Sequence, residues 1–208
     1  MITKRTTATA TEILSFWFGD SEQDADALAR HNRFWFTPDK GFDMQIRSRF
    51  LDGVIEAAAG RLRAWERTPP GRLALILLLD QFPRNIYRGA ADAFTHDALA
   101  REQSLAMIEG GQDRSISPVQ CTFAYMPLQH AEDIDLQNRS VDLFSALVDR
   151  APPALRLFLT KCVRYAVDHR DIIARFGRFP HRNAVLDRAS TSDEAEYLQA
   201  GGRTFGQV

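Results

Sequence analysis

The sequence predicts an all-α fold of antiparallel helical hairpins or a bundle. Three observations carry that prediction. Apolar residues recur at three- or four-residue steps through nearly every periodic segment. Capping boxes, glycines and prolines bound those segments. No alternating or β-branched runs are available to pair as strands. The 208 residues suffice for a real core, and they read as one domain over 1–208, with 110–117 as the one place it could divide.

Thr9 and Glu12 form a capping box before the first apolar run, which Gly19 stops. Phe42, Ile46, Phe50, Val54, Ala57 or Ala58, Leu62 and Trp65 then mark one face of a long helix, with Gly60 as a point of division. "TPPG" at Thr68–Gly71 punctuates the chain. The segment that follows, "RLALILLLDQF", is apolar around most of its circumference and should be a central, buried helix. Further helices are expected near 96–109, ended by Gly110-Gly111, and over 118–126, with Ser117 as cap and Pro118 in the first turn. Two more should cover 132–149 and 153–175. A second capping box, Thr191 with Glu194, opens a last short helix closed by Gly201-Gly202. No 34-residue period is visible, so a strict tetratricopeptide array is not supported.

Composition excludes several function classes. A net charge of −1 gives no overall attraction to nucleic acid or anionic membrane. The longest wholly apolar run, Leu73–Leu79, is too short to span a bilayer. The N-terminus lacks the apolar stretch of a signal peptide, so a cytoplasmic location is expected. Cys121 and Cys162 have neither CxxC nor metal-ligand spacing and read as buried free thiols. Of 26 basic residues only Lys4, Lys40 and Lys161 are lysine, leaving 23 arginines, a bias that base composition of the genome explains as well as function does.

Polar groups cluster where apolar segments meet proline. Phe82-Pro83-Arg84-Asn85, Met126-Pro127-Leu128-Gln129-His130 and Phe179-Pro180-His181-Arg182-Asn183 each read as a helix end, because proline blocks continuation. Asp80, in the last turn of the most apolar helix, needs a cation there. Arg84 at i+4 or the distant Arg182 could supply it, and a structural buried ion pair is the expected role. His130 and Asp133 share a face at i+3, beside Glu132. The two acids suit a helix N-terminus; the sharper alternative makes His130 a general base oriented by Glu132 or Asp133. No HExxH or similar ligand set exists, so neither metal nor cofactor is expected. His169 lies on an otherwise apolar stripe and reads first as a hydrogen-bonded core residue, second as a catalyst. Asp168 and Asp171 align with Arg164 and Arg175 as a self-paired face. His96-Asp97 resembles a phosphohydrolase doublet without its partners. Residues 150–188 hold nine cations against three anions, yet their aromatics fall on core stripes, which argues against nucleic acid.

"GRLALILLLDQFPRNIYRG", "FAYMPLQHAED" and "HRDIIARFGRFPHRNAVLDRAST" resemble the bacterial family known as domain of unknown function 924, a likeness running through nearly the whole chain from about Thr9. The resemblance implies an all-helical fold related to the tetratricopeptide-like superfamily and no established activity. Members of that family usually carry Glu-His-Ser-Glu-Asp where this chain has Gln129-His130-Ala131-Glu132-Asp133, and Leu-Gly-Arg where it has Leu186-Asp187-Arg188.

The resulting expectation is a polar pocket built where the two distant Phe-Pro corners meet. Arg84 and Arg182 would clamp a small phosphate- or carboxylate-bearing ligand, and Asn85 and Asn183 would orient it. His130, His169 and His181, with Glu132 and Asp133, would carry protons in a hydrolase- or transferase-type reaction. A helical groove holding a peptide is the alternative, and a purely structural polar core the third.

Overall fold

The order of helices follows from their caps. In the computed structural model, which describes residues 8–206, Glu12 N–H donates to Thr9 Oγ1 (3.2 Å) and the Glu12 carboxylate accepts from Thr9 N–H (2.7 Å), opening α1, Ala10–Phe18. A helix absent from the sequence expectation comes next: α2, Ala25–Phe36, capped by Asp24 on Ala27 N–H. Its buried face holds little beyond Ala27, Leu28 and Trp35, too few large apolar residues to announce a period. α3, Lys40–Ala58, follows, and the chain turns at Gly60 (φ +69°) into a 3₁₀ turn over Arg63–Arg67.

The central helix begins at α4, Pro69–Ile76, with Thr68 as its cap. Gly71 is required there, since a Cβ would stand 2.4 Å from the Trp65 carbonyl oxygen. The helix does not stop at Phe82-Pro83, as expected. It widens into a π turn over Leu77–Gln81, where Phe82 N–H reaches back five residues to the Leu77 carbonyl, and continues as α5, Phe82–Ile86. The wider turn gives the Pro83 ring the room that an α turn denies it. Leu73, Ile76, Leu77 and Leu78 on this rod are fully buried.

α1, α3, α6 (Asp97–Glu109) and α7 (Pro118–Gln129) pack against the rod, and α8 (Ile134–Arg150) and α9 (Pro153–Phe176) pack on α7. α8 and α9 form the most extensive hairpin, turning at Ala151-Pro152, and α7 lies across both. α7 also overruns its expected end: Pro127 sits in its last turns and the helix reaches Gln129. At the third corner the stop is Gly177 in the left-handed region (φ +71°), three residues before Pro180. α10, Ser192–Gln199, closes with the capping box of Thr191 and Glu194. No strand occurs among the described residues, and the fold is all-α.

The core is aromatic at one end. Trp17, Phe18, Trp35, Phe82 and Phe123 meet with ring centroids 4.9–6.1 Å apart, and Trp35 Nε1 donates to the Trp17 carbonyl (2.9 Å). A smaller cluster of Ile172, Ile173 and Phe179 lies under α10 and the C-terminal segment. Both cysteines are buried, and burial pushes their thiols up, Cys121 to about 11 and Cys162 to about 12, so neither is a ready nucleophile. No helix among the described residues is long and apolar enough to cross a membrane.

Candidate functional site

The π turn determines what the central helix shows to its neighbours. It places Asp80 in full burial, where an unpaired charge would cost several kcal/mol. Arg84 Nη1 answers it at 3.0 Å, His130 Nδ1 at 2.7 Å, and the neighbouring Gln81 amide donates to its second oxygen. Burial alone would raise the Asp80 carboxyl, but the charges of Arg84 and His130, with the His130 and Gln81 hydrogen bonds, hold it well below the usual carboxylate range. An ionised carboxylate only accepts, so the His130 Nδ1 carries the proton and its Nε2 is left with a lone pair. Burial and the Arg84 charge push His130 below the ordinary imidazole range, outweighing Asp80.

Arg84 has a second acid. Asp97, in the first turn of α6, accepts from Nη1 at 2.8 Å and from Nη2 at 2.9 Å, a two-point fork. The same carboxylate lies 3.6 Å from Arg182 Nη1, and both guanidinium groups stand over the Phe94 ring, at 5.5 and 4.7 Å. The two Phe-Pro corners are therefore neighbours, joined through Asp97. Asp80 is not reached by Arg182; its cation is Arg84.

A cavity of about 500 Å³ opens beside this network. Arg84, Asn85, Gln81 and Arg88 reach it from the central helix and its end, Gln129 and His130 from α7, and Lys161, Tyr165 and His169 from α9. Trp35, Phe36 and Phe158 add apolar wall, and the C-terminal residues Arg203–Gly206 complete it. His169 Nδ1 donates to the Tyr165 carbonyl (2.7 Å), which again leaves Nε2 as the free acceptor. Burial, then the His130 charge, sets its pKa well below the ordinary value. Phe205 stacks on His169 with centroids 3.6 Å apart, and Arg88 Nη1 donates to the Gly206 carbonyl (2.8 Å).

The remaining predicted site residues serve other ends. Asn85 borders the cavity, but its amide donates to the Gln81 carbonyl (2.9 Å) and accepts from Arg88 (3.2 Å). Glu132, expected as an acid beside His130, accepts from Phe179 N–H (2.8 Å) and forks with Arg188 at 2.6 and 2.9 Å. Asp133 caps α8 through Asp135 and Leu136 N–H, both at 3.0 Å. The residue that orients His130 is Asp80 instead, fifty positions upstream. Arg182 is not an anion clamp on the cavity: it is buried between Phe94 and Phe179, and burial lowers it to about 10. Asn183 is buried too, its amide on Ser190 (3.1 Å) and Glu194 (3.2 Å). His181 packs among Phe179 and Phe205 away from the cavity, and burial pushes it down to about 3. Asp168 and Asp171 pair with Arg203 and Arg170, not with Arg164 and Arg175.

Sequence reasoning noticed Asp97 only as half of the His96-Asp97 doublet and Gln129 only as part of the Pro127 corner, and it missed Asp97 as the acid between Arg84 and Arg182 and the cavity's contributors Gln81, Arg88, Lys161, Tyr165 and Arg203. Only Lys161 carried a usable signal, as one of three lysines among 26 cations. No group of three or more His, Cys, Asp or Glu among the described residues is arranged to hold a metal.

Fold and site together define an all-helical protein with a part-polar cavity, open to solvent along α9, at the junction of its central helix and its α7–α9 layer. The chain belongs to the family described as "Bacterial protein of unknown function (DUF924)", which matches residues 13–202. It is similar to a solved protein of unknown function from Agrobacterium tumefaciens, at 38% identity and a TM-score of 0.78 over 92% of this chain and 97% of that one. No curated protein matches the sequence.

Proposed function

We propose that the cavity binds a small organic anion bearing a carboxylate or phosphate. One observation carries this reading: Arg84, Arg88, Lys161 and Arg203 all border the cavity, and among the described residues no carboxylate does. Arg84 is balanced by Asp80 and Asp97, Arg88 by Asp43 and Arg203 by Asp168. Lys161 has no carboxylate within salt-bridge distance among the described residues, so of the four its charge is the one without an acid beside it. A partly apolar space of about 500 Å³ is also the right size for a metabolite and short for a peptide of several residues.

A reaction of hydrolase or transferase type is the second reading, favoured by the Asp80–His130 pair. An imidazole held by a buried carboxylate through Nδ1, with Nε2 free, is suited to take a proton from water or a substrate hydroxyl. His130 would be the base and Asp80 its positioning residue.

Thermal-shift titration with inorganic phosphate and small carboxylates tests the first reading. Wild-type protein should be stabilised, by about 2.7 kcal/mol at a hundredfold excess over Kd, and Lys161→Gln should respond less. Equal responses of the two proteins, or none, would defeat it.

A further inference from the structure

The chemistry lining the cavity is not uniform, and the difference specifies more than charge. Lys161, Tyr165 and His169 stand at i, i+4 and i+8 on one face of α9, so a cation, a flat ring and a base follow one another along two turns, about 12 Å of helix. Phe36 lies parallel to the Tyr165 ring (14°, centroids 6.4 Å), which gives the middle of the row a flat apolar wall. At the His169 end a second imidazole, His130, stands 6.1 Å away from the opposite wall.

Both imidazoles are tied by Nδ1 to groups that can only accept, Asp80 and the Tyr165 carbonyl. Neither Nε2 has a partner among the described residues, and neither belongs to their sealed, partnerless atoms, so each opens onto the space its ring borders. Burial favours the neutral form of both rings, which keeps the two lone pairs available. The row therefore offers at one end the cation that has no acid beside it, Lys161, and at the other, where Arg84 and Arg88 are already paired with Asp80, Asp97 and Asp43, two acceptors. An acceptor there without a donor is a lost hydrogen bond.

We propose, resting on the anion-binding reading above, that the ligand is a flat, ring-bearing organic acid with an O–H or N–H donor at the end opposite its acid group, the acid toward Lys161 and the donor on Nε2 of either His130 or His169. A hydroxyaromatic carboxylate has this form. A plain aromatic acid has the charge and the ring but wastes both acceptors, and an ether in place of the hydroxyl sets an acceptor against them.

Isothermal titration calorimetry of the full chain at neutral pH with benzoate, 4-methoxybenzoate and 4-hydroxybenzoate tests this, with inorganic phosphate as a charge-only probe. The hydroxy acid should bind about tenfold tighter than either of the other two, the equivalent of one net hydrogen bond. Lys161→Gln should weaken all three acids while preserving their order. Equal affinities for the three acids, with Lys161→Gln still weakening them, overturn the donor requirement and leave the anion site standing. No heat from any acid or from phosphate overturns both. The comparison of acids uses the wild-type protein, so it does not depend on whether a variant folds.

Discussion

Phe82-Pro83-Arg84-Asn85 and Phe179-Pro180-His181-Arg182-Asn183 read almost alike and are used in opposite ways. At the first corner the helix continues through the proline, and Arg84 borders a cavity while holding Asp80 and Asp97. At the second the chain has already left its helix, and Arg182, Asn183 and His181 are sealed under Phe205, α10 and the Glu132–Arg188 pair. The sealed corner even leaves His181 Nδ1, Arg182 Nε, Asn183 Oδ1 and Arg188 Nε without protein partners, which is where buried water is expected to bridge. A local motif sets the anchor, but what packs over it decides whether its polar groups serve a site or a joint.

That contrast yields an ordered set of expectations. Asp80→Ala should do the most damage, about 3–5 kcal/mol by chemical denaturation, because it strands the buried Arg84 and His130; adding Arg84→Met should recover part of the loss. Acid should also be costly. His130, His169 and His181 all have folded pKa values below their unfolded ones, so their unfolded forms bind more protons as pH falls below about 6.5. Stability should be flat above that pH and decline progressively below it, in denaturation curves followed from pH 8 to pH 4; a profile rising toward acid would contradict the neutral-histidine assignment. Glu132→Ala should loosen only the sealed corner, costing about 1–3 kcal/mol with anion affinity unchanged, since a calorimetric titration reads the other corner. Asp187 sits at φ +52°, in the left-handed region, where the resemblance places glycine; Asp187→Gly should stabilise by roughly 0.5–1 kcal/mol in the same denaturation assay.

How far these differences were legible follows from where the information lies. Capping boxes at Thr9 and Thr191, the apolar rod after Pro69 and the glycines at 19 and 111 are local signals, and the helices they bound appear within a few residues of the expected positions. α2 escaped because charged residues interrupt its short apolar face. Pro83 and Pro127 misled because a proline's effect depends on whether the helix around it can widen or is near its end, which is a property of the packing. Asp80's need for a cation was readable from its place in an apolar helix; its bond to His130 joins residues fifty apart on different helices and left no trace in spacing. The cavity was the least legible part, because its wall is assembled from α2, the central helix, α7, α9 and the C-terminal segment, none of which carries it alone.

The widened turn at Leu77–Gln81 sets a trade-off for anyone shortening the protein. Removing one residue from that stretch would let the rod wind regularly, improving its own ladder of amide bonds. It would also draw in the wide turn that carries Asp80, the acid shared by Arg84 and His130. A deletion that benefits the helix would thus dismantle the junction it supports, and the irregular winding is best understood as the geometric condition for that junction to exist.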